Sequence, residues 1–194
     1  MSKPTKHDHP ILIIIRGLPG SGKSYLADAL HKELGTHKVT SLDPDATDYE
    51  NAEYLAFSKK LTEENVDAKL HPYRFLRANA YKGIEANNIV IWNQAFTHHD
   101  ILDRTIKNLQ NYAHEHRTML PTLVVEVDIE HDVAKERIKK RKEHSGRDVP
   151  EEQFTRFIND YATFADYGYK TITVSGKDDV AASVKTVLTA IGEL

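Results

Sequence analysis

The chain alternates short apolar runs with longer segments in which apolar residues recur every three or four positions. The apolar runs are rich in β-branched residues and lie at residues 11–15, 38–42, 88–92, 123–128 and 171–175. Such runs predict strands, and the periodic segments between them predict helices. This alternation favours a mainly parallel five-stranded sheet with helices on both faces, an α/β/α sandwich. In such a fold, ligands bind beyond the carboxyl ends of the strands.

The first predicted strand leads directly into a glycine-rich segment, GLPGSGKS at residues 17–24, which is followed by an amphipathic helix pattern that stops at Gly35. The segment matches GxxxxGKS, the P-loop motif, in the strand-to-helix context that the motif requires. Backbone N–H groups of such a loop converge on phosphate oxygens at a helix N-terminus, where the helix dipole also favours an anion. Lys23 can then reach the outer phosphates of a nucleotide, and Ser24 a Mg²⁺ ion. We expect nucleotide contacts from Gly17, Pro19, Gly20, Ser21, Gly22, Lys23, Ser24 and Tyr25.

The length and composition of the chain suit a single domain, and its net charge indicates no general attraction to a charged partner. Its 194 residues are 40% hydrophobic and 28% charged, enough for one P-loop domain over residues 11–194 after a flexible tail at residues 1–10. A formal net charge of −3 gives no general attraction to nucleic acid. The chain has no cysteine, and its polar first ten residues lack the apolar core of a signal peptide. We expect a cytoplasmic protein without a membrane partner.

A long segment at residues 51–87 separates the second and third predicted strands and has helical patterning. Tyr73, Leu76 and Ala80 recur on related turns, and Pro72 suits the start of a helix. Two or three helices there would form either a cap on the substrate side of the phosphate site or simple packing helices. The sequence leaves both interpretations open.

Two aspartates follow the second predicted strand in the sequence TSLDPD. Because Asp43 lies at the carboxyl end of that strand, it faces the same edge of the sheet as the glycine-rich loop. A carboxylate at that position can orient an acceptor hydroxyl and take its proton, or help to hold Mg²⁺, so Asp43 is the candidate general base and metal-linked acid. Asp45 is a second candidate, and Asp-Pro-Asp is also ordinary turn chemistry.

The third predicted strand ends with Trp92, Asn93 and Gln94, where many phosphate-loop enzymes carry a metal-binding aspartate. Trp92 cannot bind a metal. Either Asn93 or Gln94 could contact a metal-bound water, the acceptor or the loop backbone, and the sequence does not decide between them. The organisation of Mg²⁺ then falls to Ser24 and Asp43.

A basic run at residues 135–142 follows the fourth predicted strand, with a break at Gly146 before Arg147. Arg137 and Arg141 share a helical face, and a planar guanidinium suits the charge that spreads over a phosphoryl group during transfer. We interpret residues 131–166 as an arginine-bearing lid and its following helix, with Arg137 and Arg141 at the transferred phosphate and Arg141 and Arg147 at the nucleotide. The run could instead be a solvated helix face, or it could bind a nucleic-acid backbone with help from the aromatic residues Tyr161, Phe164, Tyr167 and Tyr169.

Three segments, GLPGSGKS, TSLDPD and RIKKRKEHSGR, together resemble the small P-loop kinases grouped around polynucleotide 5′-hydroxyl kinases and zeta toxins. The resemblance covers most of the chain, although only the glycine-rich segment is highly specific. It implies ATP as the γ-phosphate donor, Mg²⁺, an acceptor hydroxyl held by Asp43, and lid arginines at Arg137 and Arg141. Trp92 departs from the pattern, because the related kinases often have an acidic residue in that stretch. A protein inhibitor or antitoxin is a further candidate partner.

These features predict an ATP-dependent kinase that phosphorylates a hydroxyl of a small molecule, a nucleotide-sugar or a nucleic-acid end. Lys23 would stabilise the transferred charge, Asp43 would act as the base, and Arg141 would clamp the phosphate. We favour a small-molecule acceptor over nucleic acid and expect a monomer or a weak dimer. An ATPase or nucleotide-dependent switch regulated by a protein partner would use the same nucleotide site, and a nucleic-acid-binding module built on the basic run is the third interpretation.

Overall fold

The computed structural model describes residues 8–35, 39–146, 148–161 and 168–194. Most of the predicted tail, Arg147 and residues 162–167 therefore lie outside the described residues. The helices and strands follow one another in the order β1 (Ile11–Arg16), α1 (Lys23–Glu33), β2 (Val39–Leu42), α2 (Ala52–Glu63), α3 (His71–Glu85), β3 (Ile89–Asn93), α4 (His99–Glu115), β4 (Thr122–Asp128), α5 (His131–Ser145), α6 (Glu151–Asp160), β5 (Lys170–Ser175) and α7 (Val180–Ile191). A short 3₁₀ turn at Ala68–Leu70 precedes α3.

All five strands run parallel in one sheet with the order β2, β3, β1, β4, β5. The predicted α/β fold of the P-loop NTPase type is confirmed. Strand β1 is central, and residues 11–15 are fully buried, as expected for a parallel strand that is covered on both faces. The register places Asn93 beside Ile15 and Glu126 beside Arg16, so three polar side chains lie at the carboxyl edge of the sheet.

Alternate residues of β1 pack into two separate cores, which makes the molecule a three-layer sandwich. Ile11, Ile13 and Ile15 pack with the apolar faces of α1 and α7. Leu12 and Ile14 pack with α3 and α4 on the opposite face of the sheet. Within the ranges that the structure describes, no helix is long and apolar enough to cross a membrane.

The segment between β2 and β3 contains two helices that pack on each other. Asn51 caps α2 by accepting a hydrogen bond from the backbone N–H of Tyr54, and Pro72 lies in the first turn of α3. The rings of Phe57 and Phe75 meet edge to face at 5.4 Å between centroids, which fixes α2 against α3. Helix α3 in turn buries one face against the sheet, so the segment is anchored beside the carboxyl edge of β2.

Some strand boundaries differ from the prediction by one residue. Strand β1 continues to Arg16, β4 begins at Thr122, and β3 spans 89–93 where the sequence pattern predicts 88–92. The shift in β3 affects the site, because Asn93 is the last residue of the strand and pairs in register with Ile15. The polar side chain of Asn93 is buried there, and hydrophobicity patterns place such a residue outside a strand.

Candidate active site

The glycine-rich loop between β1 and α1 lies so close to its neighbours that side chains are excluded at two positions. Gly17 and Gly20 have φ angles of 154° and 81°. A Cβ atom on Gly17 would lie 2.6 Å from the carbonyl oxygen of Val127, and one on Gly20 would lie 2.6 Å from that of Ala134. Glycine therefore lets the loop fold against β4 and α5 at the start of α1, where backbone N–H groups and the helix dipole favour an anion.

The interior of this loop has the properties of a phosphate cradle. The hydroxyl of Ser21 is fully buried and has no hydrogen-bond partner among the described residues. Lys23 donates from Nζ to the carbonyl oxygen of Leu18 at 3.0 Å, and burial lowers its pKa to about 8. An anionic ligand would raise the pKa of this lysine and pair with the hydroxyl of Ser21, so the residues present fit a nucleotide phosphate group.

Three charged groups act on Lys23 from around the loop. The carboxylates of Asp45 and Asp43 oppose the lowering of the Lys23 pKa, with the larger effect from Asp45, whereas the guanidinium of Arg141 adds to it. The carboxylates come from the residues after β2, and the arginine comes from α5. Acid and base candidates on separate elements therefore meet at this lysine.

A compact polar cluster joins the start of α1 to the ends of β2 and β3. Oδ2 of Asp43 accepts a hydrogen bond from Nδ2 of Asn93 at 2.6 Å and one from Oγ of Ser24 at 3.4 Å. Nδ2 of Asn93 also lies 2.9 Å from Oγ of Ser24, to which it donates. Gln94 turns away, because its Oε1 accepts from Nε1 of Trp92 at 3.0 Å. The structure therefore brings Asn93, and not Gln94, to the predicted metal side of the site.

This cluster presents the oxygen ligands that Mg²⁺ prefers. The hydroxyl of Ser24 and the carboxylate of Asp43 adjoin the phosphate loop, and Oδ1 of Asn93 is buried without a partner among the described residues. Hard oxygen donors of this kind suit a divalent cation that keeps some of its waters. The residues present fit a Mg²⁺ ion, although the acidic residue expected at the end of β3 is replaced by a neutral amide.

The carboxylates of Asp43 and Asp45 differ in their burial and in the number of hydrogen bonds that they accept. Asp43 is half-buried, and its Oδ1 accepts from the backbone N–H of Asp45 at 2.8 Å, while Oδ2 takes the bonds from the cluster. Asp45 is exposed, and no residue in the described part of the chain donates a hydrogen bond to its carboxylate. The carboxylate of Asp45 is therefore the one available to an incoming hydroxyl.

Helix α5 places the basic run beside the phosphate loop. Ala134 and Ile138 pack in a small apolar cluster with Phe154 of α6, which fixes one face of α5. On an adjoining face, Nη1 of Arg137 lies 3.4 Å from the carbonyl oxygen of Gly20, and Arg141 lines the same cavity one turn later. Arg147 lies outside the described residues.

The loop, the polar cluster and α5 surround one cavity of about 800 Å³. The predicted nucleotide residues that line it are Pro19, Gly20, Gly22, Lys23, Ser24, Tyr25 and Arg141. Gly17 and Ser21 lie behind this surface, where they shape the loop from within. The volume falls in the range of small-molecule sites and leaves room beyond the loop for a second ligand.

Arg16 is a buried charged residue next to the site that was not predicted from the sequence. Arg16, the last residue of β1, is fully buried; its Nη1 lies 2.5 Å from Oε1 of Glu126, and its Nη2 donates to the carbonyl oxygen of Phe96 at 2.9 Å. Its guanidinium also lies 4.2 Å from the ring centroid of Tyr161. Arg16 therefore connects β1, β4, the loop after β3 and the end of α6. The signal that could have identified Arg16 is a charged residue at the end of an otherwise apolar strand.

The aromatic residues considered for nucleic-acid stacking are partly engaged within the protein. Tyr161 packs over Arg16, and the hydroxyl of Tyr169 donates to Oδ1 of Asp103 at 2.7 Å. Phe164 and Tyr167 lie outside the described residues. The two described rings are thus held by intramolecular contacts, which weakens the basis for a stacking surface.

The parallel sheet, the glycine-rich loop and the anion-binding cradle define a P-loop nucleotide-binding protein with a kinase-like fold. The chain belongs to an AAA domain family, whose model matches residues 12–163. It is 27% identical over 158 residues to a thymidylate kinase of Leptospira borgpetersenii serovar Hardjo-bovis (strain L550), a match that covers 73% of this chain and 75% of the relative.

Two solved structures, one of them a kinase, share the fold at low sequence identity. A gluconokinase from Sinorhizobium meliloti 1021 has a TM-score of 0.57 and 17% identity, with 96% of each chain covered. Kti12 of Chaetomium thermophilum, solved in complex with ADP-AlF3, has a TM-score of 0.58 and 17% identity, with 94% of this chain and 97% of that chain covered. These matches confirm the broad resemblance to P-loop kinases, and the narrower family of polynucleotide kinases and zeta toxins is not confirmed.

Proposed function

We propose that the protein is an ATP-dependent kinase that transfers the γ-phosphate to the hydroxyl group of an acceptor. The observation that carries this proposal is that the two carboxylates after β2 and an arginine of α5 line the same cavity as Lys23. A nucleotide-binding switch needs the cradle alone, whereas phosphoryl transfer also needs a group that holds the acceptor and a cation that stabilises the moving phosphate.

On the donor side, the loop N–H groups and Lys23 bind the phosphates of ATP. Arg137 already contacts the loop carbonyls, and Arg141 lies one helical turn further along the same cavity. Their guanidinium groups would share the charge on the equatorial oxygens of the γ-phosphoryl group. Ser24 and Asp43 would hold Mg²⁺, with Asn93 orienting the carboxylate. When bound, Mg²⁺ neutralises charge on the β- and γ-phosphate oxygens.

On the acceptor side, we assign the role of base to Asp45. The sequence analysis gives both the base and the metal role to Asp43, but both oxygens of that carboxylate already accept hydrogen bonds. Asp45 is exposed to the cavity and acts more strongly on Lys23. As the new O–P bond forms and the bond to ADP breaks, the proton of the acceptor hydroxyl would pass to the carboxylate of Asp45.

The test is a comparison of two variants in an acceptor-dependent assay of ADP formation. Asp45→Asn should lower kcat at least about a hundredfold and change KM for ATP much less, because it removes the proton acceptor for the transfer step. Asp43→Asn should instead raise the Mg²⁺ concentration needed for half-maximal rate. Asp48→Asn is the control, since this exposed residue lies in the same loop outside the cavity. Full activity of Asp45→Asn together with a hundredfold loss in Asp43→Asn at saturating Mg²⁺ would return the base role to Asp43.

A further inference from the structure

Most of the charges that line the cavity are divided between two walls; the exception is Asp148, which follows α5 and accepts a hydrogen bond from Lys142. The cations Lys23, Arg137 and Arg141 belong to the phosphate loop and α5. The facing wall is built from the end of β2, the loop after β3 and the first turns of α3 and α4. Asp43 and Asp45 contribute two carboxylates to it, and none of the described residues by which this wall lines the cavity is lysine or arginine.

The same wall exposes large apolar side chains. Tyr73 of α3 and Ile101 of α4 are 51% and 46% exposed and both line the cavity. Half-buried Phe157 of α6 lines the cavity as well. Large apolar groups left open to solvent inside a concave site are typical of a surface that covers the apolar or planar face of a ligand.

The polar groups between these apolar side chains are mainly neutral. Gln94 and Thr97 line the wall with an amide and a hydroxyl, which can donate to or accept from a ligand hydroxyl or carbonyl. His98 lies at the rim, where its Nε2 is 3.8 Å from Oδ2 of Asp160. This wall can therefore bind the hydroxyl groups and the ring of a ligand. Its carboxylates, Asp43 and Asp45, make it negatively charged.

We propose, on the basis of the kinase function above, that the acceptor is an uncharged hydroxyl compound that carries a planar ring, as nucleosides do. A phosphate monoester would bring two negative charges to the wall that already holds Asp43 and Asp45, and like charges in a partly desolvated site repel each other. A free sugar would leave Tyr73 and Ile101 without an apolar partner. A nucleoside places its hydroxyl group at Asp45 and its base against the ring of Tyr73.

Matched sets of acceptors test this inference with the intact protein. ADP formation is measured at saturating MgATP with thymidine, thymidine monophosphate and 2-deoxyribose, and with adenosine, adenosine monophosphate and ribose. We expect kcat/KM for one of the nucleosides to exceed that of its monophosphate and of its free sugar at least tenfold. A preference for the monophosphate overturns the argument from charge, and a preference for the free sugar overturns the argument from the ring.

The failure of this inference is distinguishable from failure of the proposed function. ADP formation with none of the six compounds rejects the nucleoside class. Transfer of labelled γ-phosphate to any other alcohol would still uphold the kinase. The kinase itself fails only if labelled phosphate enters no organic product across a broad panel of alcohols while ATP remains bound.

A variant of Tyr73 tests the ring contact directly. Tyr73→Ala should raise KM for the nucleoside at least tenfold with kcat and KM for ATP changed less than twofold, and Tyr73→Phe should restore the wild-type value. Leu55→Ala is the matched control, because Leu55 is 54% exposed on α2 and lies outside the cavity. An unchanged KM in Tyr73→Ala, or an equal rise in Leu55→Ala, contradicts the proposed contact.

Discussion

The side-chain amide of Asn93 lies 2.6 Å from Oδ2 of Asp43 and so connects the ends of β3 and β2 beside the phosphate loop. A neutral amide occupies the strand end where an acid would have added a negative charge to the cluster. As a donor, it fixes the orientation of the carboxylate that the site offers to Mg²⁺. In the proposed site, this hydrogen bond would take over part of the role of the missing acid at the end of β3.

Loss of this hydrogen bond should weaken the use of Mg²⁺. We expect Asn93→Leu to raise the Mg²⁺ concentration for half-maximal ADP formation about 10- to 100-fold, as is typical when a group that orients a metal ligand is removed. A Mg²⁺ titration at fixed ATP measures the effect. Gln94→Leu is the control and should change the requirement less than threefold, because Gln94 bonds to Trp92 and not to the cluster. Equal requirements in the wild type and Asn93→Leu would show that Asn93 has no part in metal organisation.

The depressed pKa of Lys23 predicts a pH dependence of ATP binding. Burial lowers this pKa from 10.5 to about 8, so the free protein loses the positive charge of Lys23 as the pH rises through 8. ATP binds the protonated lysine, and its affinity should therefore fall by up to about tenfold per pH unit between pH 8 and 9.5. Calorimetry should show proton uptake on binding at pH 8.5. The Lys23→Met variant should show neither this slope nor the uptake, and a flat affinity profile in the wild type would contradict the shifted pKa.

The lowered pKa of Lys23 also predicts how the stability of the nucleotide-free protein changes with pH. Between about pH 8 and 10.5 the unfolded chain keeps the proton on Lys23 and the folded protein has lost it. Because the unfolded state then binds more protons, the contribution of Lys23 to the free energy of unfolding rises with pH in this window. Urea unfolding of the wild type and Lys23→Met at pH 7.5 and 9.5 should show their difference in stability change in this direction. A difference that stays constant would contradict it.

The sheet and the phosphate loop could be predicted because each is encoded locally. Strand β1 is an apolar run that ends at a GxxxxGKS motif, and both signals are read from adjacent residues. The contacts of Asn93 and Arg16 could not be predicted, since they depend on which strands become neighbours and in which register. The proposed division of roles between Asp43 and Asp45 could not be predicted either, because it rests on the hydrogen bonds that Asp43 accepts from the backbone N–H of Asp45 and from Asn93.

The arginines of α5 should affect turnover more than nucleotide binding. We expect Arg141→Ala to lower kcat about 10³-fold or more while KM for ATP changes less than tenfold, because a guanidinium that acts on the transferring phosphate stabilises the transition state most. Steady-state kinetics with a saturating acceptor measure both constants. Lys139→Ala, an exposed residue of the same helix outside the cavity, should leave them unchanged. A loss confined to KM would assign Arg141 to ATP binding alone.

Removal of only one partner of the buried ion pair between Arg16 and Glu126 should strongly destabilise the protein. Glu126→Leu would leave the fully buried guanidinium without its 2.5 Å partner and should reduce the free energy of unfolding by about 3–5 kcal/mol. Arg16→Met combined with Glu126→Leu should recover much of that loss, because both charges are then absent. Urea unfolding of the single and double variants gives the coupling energy. Additive losses would show that the pair is not coupled.

Transfer of label from [γ-³²P]ATP tests the central claim most directly. The protein is incubated with MgATP and the panel of alcohols, and the label is followed into organic phosphate and inorganic phosphate. A kinase should place the label in a phosphate monoester of one acceptor, and both Lys23→Ala and Asp45→Asn should abolish that product. Label that appears only as inorganic phosphate, at a rate that no acceptor changes, would contradict phosphoryl transfer and identify a nucleotide hydrolase instead.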